Sequence, residues 1–106
     1  MIGEADLARA IERIVALYAP ERVYVFGSYA KGTLKESSDL DLVVVKKTTV
    51  PRRQRGKDVV ALLRELAVDF DLLFVTPDEL TAELNEPHSL LSTVMSSARV
   101  VYELQP

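Results

Sequence analysis

Apolar and polar positions alternate along this chain in two rhythms, one helical and one extended. Over residues 4–18, Leu7, Ile11, Ile14, Leu17 and Tyr18 recur at helical spacing with Arg9, Glu12 and Arg13 opposite, which predicts an amphipathic helix ending before Pro20. "RVYVF" (22–26) reads as a strand from its β-branched and aromatic content. "DLVVV" (41–45) reads as a second strand, and its unbroken apolar run predicts burial on both faces. A helix over about 53–66 follows, with Val59, Val60, Leu63 and Leu66 as its buried stripe, and then a third strand, "VDFDLLFV" (68–75). "TPDE" sets a Thr cap, a Pro at the first helical position and a Glu three residues after the cap, so a helix starts at Pro77. A short helix around 89–97 and a last strand, "RVVYE", complete the pattern.

The polar exceptions are more informative than the pattern. Asp39 and Asp41 alternate with apolar residues where the second strand begins, so both side chains point to one face, roughly 7 Å apart along the backbone. Asp69 and Asp71 repeat the arrangement before "LLFV". If 53–66 is a crossover helix, the second and third strands are parallel and the two acidic starts lie at one end of the sheet. Gly27-Ser28 follow the first strand, which must then run antiparallel to the second to bring them to that end, so the expected sheet is mixed. Carboxylates gathered at one sheet end repel one another, which a protein at neutral pH tolerates chiefly by raising their pKa values or by binding cations. Hard oxygen donors without His or Cys favour Mg²⁺ or Mn²⁺, whose shells are commonly completed by water and the phosphates of a nucleoside triphosphate. Gly27 allows close backbone approach, and the Ser28 hydroxyl with neighbouring N–H groups can hold phosphate oxygens.

A Gly-Ser turn or a lone Asp-x-Asp is by itself most often a plain turn or a solvated loop. Their combination carries the argument. "GSYAKGT" spaces Gly27 and Gly32 as a P-loop would, but Thr33 stands where that motif needs Lys, which excludes it. His88, the one histidine, sits at a helix entrance and reads as a cap or surface residue, and Tyr29 either lines a nucleotide pocket or simply packs.

Composition narrows the classes further. At 106 residues the chain is expected to form one domain, 1–106, too short for a catalytic domain plus a separate acceptor-binding domain. A net charge of −3 argues against general nucleic-acid binding. The absence of cysteine excludes disulfides, thiol nucleophiles and Cys-bound zinc. The opening "MIGEADLARAIERIV" is acidic where a secretory signal is basic, and no apolar run reaches membrane-spanning length, so the expected location is the cytoplasm, with no membrane partner. Six of the thirteen basic residues fall in "KKTTVPRRQRGK": Lys46, Lys47, Arg52, Arg53, Arg55 and Lys57. The run follows the second strand about 15 Å from Asp41, too far to reach the triphosphate readily. It reads either as solvated surface or as a docking surface for an acidic partner.

Gly27-Ser28, ten intervening residues, Asp39-x-Asp41 and a later acidic strand start at Asp71 together resemble the minimal nucleotidyltransferase domains of the DNA polymerase beta-like superfamily, over essentially the whole chain. The resemblance implies an α+β fold, a small mixed sheet packed by helices. It implies that Gly27 and Ser28 hold the triphosphate and that Asp39, Asp41 and Asp71 are the catalytic carboxylates, binding two Mg²⁺ ions. Asp69 shares the face of Asp71, but the resemblance places the third carboxylate directly before the apolar strand core. Domains of this kind often act as antitoxins beside helical HEPN-type toxins, and some transfer AMP from ATP to a tyrosine of the toxin. The implied function is therefore Mg²⁺-dependent transfer of a nucleoside monophosphate to a hydroxyl of a protein acceptor. The alternatives are an antitoxin acting by binding alone and a transferase for small molecules of the antibiotic type. Base preference, acceptor and homo-oligomerisation are left open by these residues.

Overall fold

The computed structural model describes residues 4–26, 40–66 and 70–104. Helix α1 (Glu4–Tyr18) leads into strand β1 (Arg22–Phe26); β2 (Leu40–Val45) is followed by a 3₁₀ turn (Arg52–Gln54), helix α2 (Lys57–Leu63) and β3 (Phe70–Val75). Helices α3 (Pro77–Leu84) and α4 (Leu90–Met95) then precede β4 (Arg99–Glu103).

The strands form one sheet in the order β3-β2-β1-β4, with β1 antiparallel to both β2 and β4, and β2 parallel to β3. The sheet is mixed, as expected. Central position explains β2: its apolar run is buried throughout, and its alternation sends Leu42 and Val44 to one core and Val43 and Val45 to the other. The first core joins Leu7, Ala10 and Ile14 of α1 to Val23 and Val25, Val59 and Leu63 of α2, and Phe74. The second joins Phe26, Val43, Val45 and Val75 to Leu91 of α4. Helices thus cover both faces, α1 and α2 on one and α3 and α4 on the other. Among the described residues no helix is long and apolar enough to cross a membrane.

Most predicted elements stand where the pattern put them. Thr76 caps α3 in a capping box: its Oγ1 accepts the Glu79 N–H at 3.1 Å, and Glu79 Oε1 accepts the Thr76 N–H at 2.9 Å. The helix expected over 53–66 is the main correction. It is split into the 3₁₀ turn and a shorter α2, because Arg55 is extended (ψ 141°) and Gly56 is left-handed (φ 69°). Both departures have tertiary causes. The Arg55 guanidinium binds Glu79 of α3, and a Cβ at Gly56 would lie 2.2 Å from the Phe74 ring. Leu17, predicted as core, is 51% exposed, whereas Arg13, expected on the outer face, reaches α2 and donates to the Leu62 carbonyl at 3.2 Å. His88 is exposed with φ 66°, and it is Ser89 that caps α4, its Oγ accepting the Ser92 N–H at 2.9 Å.

Candidate active site

The parallel pairing of β2 with β3 sets Asp41 directly opposite Asp71, about 4.8 Å apart in the hydrogen-bonding direction. On the other side of Asp41, the antiparallel pairing places Phe26, the last residue of β1. Phe26, Asp41 and Asp71 therefore make one row across three adjacent strands at the end where β2 and β3 begin. Alternation puts this row on the face of Val43, Val45 and Val75, which α3 and α4 cover farther along the strands. Asp41 is half-buried and Asp71 exposed, so the row opens to solvent at the sheet end while its Phe26 side is closed by core.

Local sequence explains the placement. Each aspartate is followed directly by an apolar strand run, Leu42–Val45 on one and Leu72–Val75 on the other, and these runs fix the register by burying their alternate residues. A slip of one residue would carry both carboxylates to the opposite face and drive Val43 and Val75 out of their core. Of the residues singled out from sequence, Asp41 and Asp71 are brought together; Gly27, Ser28, Asp39, Asp69 and Tyr29 lie outside the described residues. Among the described residues no group of three or more His, Cys, Asp or Glu is gathered as a metal site. A pair of carboxylates on neighbouring strands nonetheless suits Mg²⁺, which commonly takes one or two protein carboxylates and fills its shell with water and phosphate. His88, on the α3–α4 connection, does not belong to the row.

The wall on this face was not legible as part of a site. Val94, Met95 and Ala98 pack against the cluster that contains Phe26, and the segment from α4 into β4 carries no chemical signature beyond its helix cap.

The basic run proves to be divided. Lys46 Nζ donates to the Tyr18 carbonyl and lies 4.8 Å from the centre of the Tyr18 ring. Arg52 pairs with Glu83 at 2.6 Å. Arg55, its side chain only 6% exposed, donates to Glu79 through Nη1 and Nη2 at 2.6 and 3.1 Å, and to the carbonyls of Val50 and Phe74 at 2.7 and 3.3 Å. All three cations already have partners within the chain, Arg55 in the interior and Arg52 on the surface, so the run as a whole is not a free docking face. The Arg55 hydrogen bonds, despite some desolvation, hold the Glu79 carboxyl down at about 2.

A small mixed sheet covered by helices, with acidic residues in register at the starts of parallel strands, describes a class of transferase domain. The profile of the nucleotidyltransferase domain family matches residues 7–101, and the chain belongs to that family. A protein of Methanocaldococcus jannaschii, MJ1305, provisionally named a protein adenylyltransferase, is 29% identical over 89 residues; the match takes in 76% of this chain and 57% of that protein's length, little more than half. Among solved structures, a provisionally named nucleotidyltransferase of Sulfolobus solfataricus superposes with a TM-score of 0.64 at 19% identity, over 93% of this chain and 78% of that one. A toxin-antitoxin structure with AMP-PNP superposes at 0.63 and 22% identity, over 98% and 76%. At these identities the likeness establishes the α+β fold, and the family establishes a nucleotidyltransferase domain.

Proposed function

We propose that this domain transfers AMP from ATP to a hydroxyl of a protein acceptor, a HEPN-type toxin, and so serves as its antitoxin. The observation that carries the reading is the register of Asp41 against Asp71, which sets two carboxylates side by side at one end of the sheet. It is supported by the name of the M. jannaschii relative and by the toxin-antitoxin pair with AMP-PNP among the fold's neighbours.

In the reaction the acceptor oxygen forms a bond to the α-phosphorus, the bond from that phosphorus to the bridging oxygen breaks, and pyrophosphate leaves. Asp71, exposed at the rim, takes the hydroxyl proton. Asp41, half-buried against Phe26, is the more firmly placed of the two and orients the triphosphate end of the site. Asp39 completes the carboxylate set, and Gly27 and Ser28 hold the phosphates. Asp39, Asp41 and Asp71 would hold two Mg²⁺ or Mn²⁺ ions, which supply positive charge against the triphosphate and the leaving pyrophosphate when bound. The remaining contribution of the chain is positioning, because phosphoryl-type transfers gain most from alignment and charge.

The test is to incubate the protein with α-labelled ATP, Mg²⁺ and the product of the neighbouring gene. Label should appear on that product, and the Asp41→Asn variant should transfer none while keeping its fold. Full Mg²⁺-dependent transfer by Asp41→Asn would overturn the reading.

A further inference from the structure

The second feature that folding alone does not require lies at the opposite end of the sheet. Leu17, in the last turn of α1, is 51% exposed, and Val50, in the loop after β2, is 42% exposed. Both line one cavity of about 220 Å³, together with Tyr18, Gly56, Lys57 and Val59. Its walls are fixed rather than loose. Arg55 is bound to Glu79 and to the Val50 carbonyl, Gly56 is held against the Phe74 ring, and Val59 is core. An aliphatic pair held open on a rigid frame is preformed for an apolar side chain.

Charge selects the class of occupant. With Lys46, Arg52 and Arg55 already paired within the chain, Arg53 and Lys57 remain exposed beside the cavity, their side chains making no hydrogen bond or ion pair among the described residues. Lys57 is itself a lining residue, and Arg53 stands on the 3₁₀ turn whose Gln54 forms part of the wall. The one acidic lining residue, Asp58, occupies the first turn of α2, where the helix dipole already favours it. We infer that this face docks an acidic peptide segment of a protein partner, one apolar side chain entering between Leu17 and Val50 and flanking carboxylates meeting Arg53 and Lys57. An apolar slot with two cations suits such a segment better than a nucleic acid, which gains its affinity from many phosphate contacts. The face lies past Val45, about 13 Å along β2 from Asp41, so an occupant leaves the carboxylate row uncovered. The inference does not depend on the transfer reaction proposed above.

A labelled peptide of glutamate and alanine with one central leucine, titrated with the full chain at low ionic strength, tests it. Saturable binding is expected. Replacing the central leucine by alanine, or making Leu17→Ser or Val50→Ser, should weaken it about tenfold, the scale of one buried aliphatic side chain. Arg53→Glu and Lys57→Glu should weaken it comparably and abolish its salt sensitivity. All four positions are exposed, so melting temperatures should stay unchanged and serve as the folding control. No saturable binding would overturn the inference. So would binding that is indifferent to Leu17→Ser and Val50→Ser, or tighter capture of oligothymidylate, either of which makes the face a plain polyanion surface.

Discussion

Replacing Glu79 by Gln should remove the strut that ties the crossover loop to α3. Glu79 accepts two bonds from Arg55 and one from the Thr76 N–H. Its carboxyl titrates near 2 instead of 4.5, which at 1.36 kcal/mol per pH unit favours the charged, folded form by roughly 3 kcal/mol. Glu79 is 32% exposed, so solvent takes part of this back, but Arg55 at 6% is left without a counter-ion inside the fold. A net loss of about 2–3 kcal/mol follows, below the range for breaking a fully buried pair. The sign in pH is definite. A depressed carboxylate stabilises above its unfolded value and loses that stabilisation as pH falls through the folded one. Wild-type stability should therefore decline from about pH 5 towards pH 2, and Glu79→Gln should remove this carboxylate's share of that decline. Urea denaturation across that range measures both. A loss under about 0.5 kcal/mol at pH 7, or an acid slope unchanged by Glu79→Gln, would mean that the Arg55–Glu79 pair does not stabilise the fold.

Two further outcomes are expected. Gly56→Ala should destabilise by about 2 kcal/mol or more, because the new Cβ meets the Phe74 ring at a left-handed position; thermal melting decides it, and an unchanged melting temperature would mean that the Phe74 ring is not held there. Asp71→Asn should slow nucleotidyl transfer by orders of magnitude and Asp69→Asn by much less, since Asp71 is the residue in register with Asp41; initial-rate measurements that reverse this ranking would move the proton acceptor to Asp69.

Local patterns were enough for the elements whose signals are themselves local. The Thr76 cap with Pro77 and Glu79, the amphipathic stripe of α1 and the doubly buried run of β2 are all legible because each leaves its pattern within a few consecutive positions: partners that satisfy one another in the cap, apolar spacing in the helix and the strand. The mixed sheet followed from a chemical requirement, that Gly-Ser and the aspartates share one end, together with the need for a crossover between parallel strands. What sequence could not determine is where distant side chains compete with local propensity. The helix pattern over 53–66 is genuine, yet it yields at Arg55 and Gly56 to an ion pair with α3 and a ring from β3, both about twenty residues away. Leu17 and Arg13 exchange their expected environments for the same reason, because which flank of a helical stripe is covered depends on the element that packs against it. Likewise, six basic residues look alike in a string of letters, and only the tertiary structure divides them into paired and free charges, since an ion pair is made by spatial neighbours that the chain order does not name.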